Sequence, residues 1–456
     1  MTLEVSLELV KKYSKPGPRY TSYPTAPHFS TEFTDSDWTE EIRSNNHNAN
    51  KPLSFYFHIP FCYSLCYYCG CTTTITRDYS QSQKYLEYLI SEMELIKPLL
   101  APQREIVQLH WGGGSPSYLR PEDILKLGGA ISHRFTIDKD AEIGVELDPR
   151  RLTLEHVQAL RQLGFNRASL GIQDFDHAVQ KAVNRINPLE MVQETVNWIR
   201  ESGFQSLNLD LIFGLPLQTP ERFYKTLEAS LKLKPDRFAI FNFAWVPWMK
   251  PHQKLIHETD LPTPETKLAM LKMIVETLTA AGYIYIGMDH FAKRDDELTL
   301  AQRNKTLQRN FQGYSTKAGT DIYGFGMSSI SQTEGAYSQN LKETQQYYKR
   351  LDAGLFPVER GLRLTEEDQI RRQIITHLMC NLELDFSVMD AQLGESFSHR
   401  FQNELDRLQE FADDGLLEIL PHKLKITDSG RLFIRNIAMV FDAYLKDNEQ
   451  RFSKTI

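Results

Sequence analysis

The chain is poor in cysteine, with five among 456 residues, and four of those five fall within positions 62–71 of the stretch HIPFCYSLCYYCGC. So uneven a distribution excludes a secreted disulfide framework, whose cysteines would be spread to staple loops across the fold. Thiols kept for a metal or for catalysis are the expectation, and the reducing cytoplasm is the expected location. Long apolar runs are missing as well; nothing approaches the roughly 20 residues that cross a bilayer. The first residues, MTLEVSLELVKKYSKPGPRY, carry charges where a secretory leader needs an apolar segment. Nor is there an excess of basic charge, since 52 lysines and arginines against 59 acids leave a net −7. That balance disfavours nucleic acid as a partner but leaves room for a local basic pocket. What is present is ordinary for a globular protein: 41% apolar and 24% charged residues, in a chain long enough for one large domain and a smaller one.

Residues 1–50 are polar and punctuated by Pro16, Pro18, Pro24 and Pro27 in KPGPRYTSYPTAPHFS. Proline opposes helix, so this part is expected to form an extended arm over the main domain. From residue 52 strand-like runs alternate with amphipathic helical patterns. PLSFYFHI, EIVQLHWG, EIGVELDP, RASLGIQ, SLNLDLIFG and RFAIFNF are the runs. Apolar strands each followed by a helix indicate a parallel sheet covered by helices, and six such units suggest a partial (βα)6, TIM-like barrel over residues 51–291. The α/β class follows. A further helix and the run YIYIGMDHF close this part. Residues 292–360 read as a region connecting and covering the barrel, loop-rich over 292–340. Residues 361–456 turn mainly helical; FQNELDRLQEFADDGLLEIL, HKLKIT and DSGRLFIRNIAMVFDAYL give helix, hairpin, and a helix opened by Thr427 or Asp428. The arrangement is winged-helix-like. Neither helix has a dense basic face, so packing or a lid is the expected role rather than DNA binding.

Cys62, Cys66 and Cys69 form C-x3-C-x2-C directly after the first strand. Three thiolates from one loop can ligate three irons of a four-iron cluster and leave the fourth open. A structural zinc site would normally need a second Cys-x2-Cys knuckle, and Cys380 stands alone, read as a core residue. The spacing resembles that of the radical S-adenosylmethionine (SAM) superfamily. The resemblance implies a [4Fe–4S] cluster whose open iron is chelated by SAM, and an electron that cleaves SAM to a 5′-deoxyadenosyl radical. In a βα barrel the functional groups gather at the C-terminal ends of the strands. There the sequence places Tyr56 and His58, then Gly112-Gly113-Gly114-Ser115, Glu146 and Asp148, Gln173 and Asp174, Asp210, and Asn242 to Trp245.

A narrower resemblance rests on PGPRYTSYPTAP, HIPFCYSLCYYCGC, LHWGGGSPSYL, VELDPR, LGIQDFD, NLDLIFGLPLQTP, GMDHFA and RNFQGYST. Together these are similar to the oxygen-independent coproporphyrinogen III oxidases, also called dehydrogenases. The implied reaction is oxidative decarboxylation of two propionates of coproporphyrinogen III to vinyls, giving protoporphyrinogen IX. The alternative is a haem chaperone of the same family, but those commonly have phenylalanine in place of Cys71 and lack the Arg-Tyr-Thr-Ser-Tyr-Pro arm. By the resemblance Cys62, Cys66 and Cys69 hold the cluster. Tyr56, Gly113, Glu146 and Ile330 match positions at the cluster-bound SAM. Tyr68, Gly114, Ser115, Gln173, Arg185, Asp210 and Ala244 match those around a second SAM. Cys71 is expected to be no cluster ligand, since a fourth thiolate would close the vacancy; a catalytic role is weighed against that of a small buried side chain. The tetra-anionic substrate calls for basic groups, Arg19 and Arg309 first, then Lys250 and Lys254. Asp289 and His290 could meet pyrrole nitrogens or pin the strand end. Trp245 and Trp248, in AWVPWMKPHQK, depart from the family pattern. Further implied partners are an electron donor such as flavodoxin or ferredoxin and an electron acceptor of unknown identity, for a protein expected to be monomeric.

Overall fold

The runs dense in apolar residues become the parallel centre of one twelve-stranded sheet. They are β1 (Leu53–Ile59), β2 (Ile106–Gly113), β3 (Ile137–Leu147), β4 (Arg167–Gln173), β5 (Ser206–Phe213) and β6 (Arg237–Asn242). They lie side by side in chain order, all parallel. In this computed structural model residues 5–445 and 455 are described; residues 1–4, 446–454 and 456, the extremities of the expected first and last domains, lie outside the described residues.

The run YIYIGMDHF forms two strands, β7 (Tyr283–Gly287) and β8 (His290–Lys293), hinged at Met288 with φ 53°. This hairpin extends the sheet antiparallel beyond β6. Beyond β1 the sheet continues through β9 (Asp321–Phe325), parallel to β1, then antiparallel β10 (Ile330–Gln332), β11 (Ala336–Asn340) and β12 (Val358–Arg363). The expectation of a loop-rich region at 292–340 is therefore corrected: it supplies strands to the sheet. β9 is buried at every position, which is what ties it into the centre. Edge strands β7 and β12 do not pair, so the barrel is partial and open.

Burial explains which side chains reach the lumen. β4 alternates strictly, with Ala168, Leu170 and Ile172 buried beneath helices. Arg167, Ser169, Gly171 and Gln173 then face inward. The same register turns Gln108 and His110, Glu142, Gly144 and Glu146, and Asn208 and Asp210 into one interior. Helices such as Leu189–Glu201 and Pro220–Lys232 cover the outside, the latter begun by Pro220 behind the Thr219 cap, which accepts the Arg222 N–H.

The first 50 residues are not extended throughout. Short helices, Leu7–Tyr13 behind a Ser6 cap and Asp35–Ser44 behind a Thr34–Asp37 capping box, flank the proline-rich stretch. That stretch is held by the C-terminal part: Arg435 Nε donates to the Pro18 carbonyl at 2.9 Å and the Tyr20 hydroxyl to Asp442 at 2.8 Å. There, helix Gln402–Asp413, hairpin Leu417–Leu420 and Lys423–Ile426, and a closing helical segment follow in the expected order. Glu383–Asp385 adds a third strand, and the last helical segment begins at Gly430 behind Ser429 rather than Thr427 or Asp428, with Thr427 Oγ1 accepting the Gly430 N–H at 3.0 Å.

Candidate active site

The strand ends and the lumen enclose a cavity of about 440 Å³ that runs from the cysteine loop down the barrel interior. Cys62, Cys66, Cys69 and Cys71 all line it. The loop that carries them is held on every side by its backbone. Gly114 N–H donates to the Ile59 carbonyl at 2.8 Å, Tyr85 to that of His58 at 2.9 Å, and the His58 ring bonds the Thr72 carbonyl at 2.9 Å. From above, residues 250–253 grip the loop: Lys250 Nζ donates to the Cys71 carbonyl at 3.0 Å, His252 Nε2 meets that of Cys69 at 2.8 Å, and Gln253 donates to that of Tyr68 at 3.1 Å. Arg150 and Arg185 each place a guanidinium nitrogen 3.6 Å from Cys66 Sγ. Two fixed cations beside a thiol suit a site that must hold thiolates. Cys71 is exposed to the cavity, which corrects the alternative of a buried packing residue. Its hydrogen bond to Cys69 lowers the Cys69 thiol to about 6 and raises its own.

Beside the cysteine loop the end of β2 is built only for glycine. A Cβ on Gly112 would sit 2.8 Å from the Glu146 carboxylate, and one on Gly114 2.4 Å from the Pro60 carbonyl oxygen. Gly113 has φ +116°, and its Cβ would meet the His58 ring at 2.8 Å. Glu146 Oε2 accepts the Gly113 N–H at 3.1 Å and Oε1 faces His110 Nε2 at 3.3 Å. Enclosure opposes ionisation of Glu146, but these donors hold its carboxyl below the usual range. Across the cavity the Asp148 carboxylate accepts from Arg185 Nη1 at 3.1 Å and from Arg150 Nη2 at 2.6 Å. Burial opposes its charge, and the two guanidiniums overcome that, leaving it strongly ionised. Arg185 also donates to the Gly171 carbonyl, while its Nε is buried without a partner. Asp210 accepts from Ser169 Oγ at 2.8 Å and Asn208 Nδ2 at 2.7 Å. Enclosure, with the nearby Glu146 charge, raises it to about 7.

The cavity thus brings together Cys62, Cys66, Cys69, Cys71, Tyr68, Gly113, Gly114, Ser115, Glu146, Gln173, Arg185 and Asp210 among the expected residues. Tyr56, Ala244 and Ile330 are outside its lining. The Tyr56 hydroxyl bonds His58 Nδ1 at 3.1 Å and its ring stacks beneath His110, a layer below the surface. Ala244 lies past the end of β6, with its carbonyl accepting from Gln253 Nε2 at 3.3 Å. Ile330 begins β10, one strand beyond β9. Arg19 is outside the cavity lining and is ion-paired with Asp289. Asp289 also pins the strand end, its carbonyl accepting the Ile240 N–H at 2.7 Å. Arg309 covers the Tyr314 ring at 4.8 Å, with Nε and Nη1 buried and unpartnered. His290 lines the cavity; burial and the charges of Arg309, Arg19 and Arg237 lower it to about 3, so it is neutral.

Several lining residues escaped the sequence reading: Arg167, Ser169, Asn208, Arg237, Gln312 and Tyr314. The signal was available in the alternation of Arg167-x-Ser169-x-Gly171-x-Gln173, which is polar or glycine at each inward position.

Comparison with known proteins bears on the whole chain. Residues 56–229 match the Radical SAM superfamily, and residues 364–433 match the HemN C-terminal domain. A curated protein of Synechocystis named oxygen-independent coproporphyrinogen III oxidase is 45% identical over 461 residues, covering 100% of this chain and 99% of its own. One of the same name from Helicobacter pylori is 45% identical, covering 99% of each chain. The solved structure of Escherichia coli coproporphyrinogen III oxidase (HemN), described as a radical SAM enzyme, superposes with a TM-score of 0.93 at 43% identity, covering 98% of this chain and 100% of that one.

Proposed function

Because the chain belongs to the oxygen-independent coproporphyrinogen III oxidase family of the radical SAM superfamily, we propose that it decarboxylates two propionates of coproporphyrinogen III to vinyls, giving protoporphyrinogen IX in haem biosynthesis. It is a radical SAM oxidoreductase, and its family implies a [4Fe–4S] cluster and SAM.

The residues present fit both groups. Three thiols from one loop share a cavity end with two guanidiniums, and beside them Gly112–Gly114 pack too closely against Glu146, His58 and Pro60 to admit any Cβ, which seats the end of β2 against the cysteine loop. That juxtaposition is the observation that carries the reading. Bound there, the cluster and SAM would supply a carbon-centred radical able to take a hydrogen atom from a propionate β-carbon; loss of carbon dioxide would then leave a vinyl group and pass one electron to an external acceptor. In this reading Cys62, Cys66 and Cys69 hold the cluster. Gly113 and Glu146 would hold the cosubstrate beside it, the ionised Glu146 carboxylate serving as acceptor for its donors. Tyr56 and Ile330 act from the layer behind. A second SAM would occupy the other rim, where Arg185 Nε lacks a protein partner and Asp210 and Gln173 face inward. Tyr68, Gly114, Ser115 and Ala244 frame that rim.

For substrate carboxylates the deep end of the cavity is the better candidate. Gln312 lines it with a buried Nε2 that has no hydrogen-bond partner, and Arg309 close by keeps Nε and Nη1 buried in the same way, whereas Arg237, also in the lining, is ion-paired with Asp296 and Glu297. An unpaired buried donor is costly until an acceptor arrives. Enclosure of the lumen also keeps water from a radical. No helix among the described residues is long and apolar enough to cross a membrane. A cytoplasmic monomer reduced by an electron-carrier protein completes the proposal.

The test is anaerobic incubation with coproporphyrinogen III, SAM and dithionite. Methionine, 5′-deoxyadenosine and carbon dioxide are expected together with protoporphyrinogen. Tight haem binding without carbon dioxide release would instead assign the chain to the chaperones.

A further inference from the structure

The three most exposed large apolar side chains among the described residues are Trp248 (68%), Met249 (61%) and Leu255 (55%). All three sit on the segment after β6, the same segment whose Lys250, His252 and Gln253 bond the carbonyls of Cys71, Cys69 and Tyr68. Its inner face is fixed: Val246 N–H donates to Gln253 Oε1 at 2.6 Å, and Trp245 packs with Tyr68, Phe243 and Ile256 in a small apolar cluster. A tryptophan and a methionine held outward on a braced loop are not core residues that failed to find a place. Scattered exposed apolar residues need no explanation; three on the loop that grips the cysteine loop do.

Charge indicates what covers them. From residue 243 to residue 257 the sequence FAWVPWMKPHQKLIH has two lysines and two histidines but no acid, in a chain whose net charge is −7. An aromatic centre with a basic edge is the pattern of a small transient interface for an acidic partner. The chemistry beneath it needs electrons one at a time, and this loop is joined to the cysteine-loop backbone by three hydrogen bonds.

We propose that Trp248, Met249 and Leu255, edged by Lys250 and Lys254, form the docking surface for an acidic one-electron carrier protein that reduces the cluster. The proposal rests on the radical SAM reading of the same loop. Trp248 is the anchor, and Lys254 steers the encounter. Lys250 both contributes charge and ties the surface to Cys71.

The probe is reduced flavodoxin, an acidic flavoprotein. Its affinity for the cluster-loaded enzyme is measured by titration calorimetry, and cluster reduction is followed by electron paramagnetic resonance without substrate. The Trp248→Ser, Met249→Ser double variant should weaken flavodoxin binding by about thirtyfold, the loss expected from one aromatic hot spot. Lys254→Glu should mainly slow association and flatten its dependence on salt. The double variant should keep dithionite-driven turnover within about twofold of the parent, as surface changes away from the reacting groups do. Flavodoxin affinity and reduction rate unchanged in the double variant would overturn the proposal. So would self-association of the parent, detected by sedimentation, that the double variant abolishes, since the face would then belong to a second copy. A parent that fails with dithionite while its cluster still accepts electrons from flavodoxin would count against the decarboxylation reading and leave the docking surface standing.

Discussion

Replacing Gly114 by alanine tests how tightly the glycine edge and the cysteine loop are built together. The added Cβ would lie 2.4 Å from the Pro60 oxygen and 2.5 Å from its carbon, where ordinary contact begins near 3.4 Å. Both obstacles are main chain, so no side chain can rotate away. Relief requires the segments to part by about 1 Å, against the Gly114 N–H bond to Ile59 at 2.8 Å and the Thr74 N–H bond to Pro60 at 2.7 Å. Overpacking costs about 1–3 kcal/mol, and a lost main-chain hydrogen bond adds about 1 kcal/mol. The expected destabilisation is therefore about 2–4 kcal/mol, and it falls on the residues leading into Cys62. Gly70, inside the cysteine loop, is the control: a Cβ there meets nothing within 4 Å. Gly70→Ala should change stability by less than about 0.5 kcal/mol. Thermal unfolding of anaerobically prepared protein, iron content and SAM titration read the outcome. A Gly114→Ala protein with the parent's melting temperature and SAM affinity would refute the packing argument, as would equal damage from Gly70→Ala.

Cys71→Ser should retain the parent's iron and sulfide content, because three other thiols hold the cluster; loss of one iron per cluster would make Cys71 a ligand. Arg309→Gln should raise the coproporphyrinogen KM several-fold with kcat less affected, and an unchanged KM would remove Arg309 from substrate binding. Glu92 is buried and accepts from Gly326 N–H at 2.7 Å, Tyr347 at 2.7 Å and Asn340 at 2.6 Å, yet burial raises it to about 7. A carboxyl raised in the folded state binds its proton more tightly there than in the unfolded chain, so its contribution declines as pH rises from the ordinary carboxylate range through 7. Denaturant titrations of the parent should show that decline, and Glu92→Gln should lack it; parallel pH profiles would contradict the assignment.

Much of the barrel was legible because burial on two faces writes itself as continuous apolar runs, as in LSFYFHI, and burial on one as alternation, as in RASLGIQ. Four cysteines in ten positions marked the site with equal clarity. Residues 292–360 were harder. Strand DIYGF is five residues long and contains Gly324, and its neighbours ISQ and AYSQN are rich in polar residues. Their pairing comes from the sheet, which short polar runs do not reveal. Leu7–Tyr13 was hidden because the prolines that follow it dominated the reading of the arm, although Ser6 is a regular helix cap. Arg237 stands at the start of a mostly apolar strand, where nothing local marks a charge that lines the lumen. The grip of Lys250, His252 and Gln253 on the cysteine loop joins residues more than 170 positions apart and left no local trace. Arg19 is ion-paired with Asp289, a partner 270 positions away that no local pattern announced.

The central claim is that three cysteines hold a four-iron cluster with one iron left for SAM. Electron paramagnetic resonance of anaerobically reduced protein, recorded before and after SAM is added, tests it most directly. The account predicts a [4Fe–4S]+ signal that changes shape on addition of SAM and is lost on replacing any of Cys62, Cys66 or Cys69. A signal indifferent to SAM, or one that survives loss of any of these thiols, would contradict it.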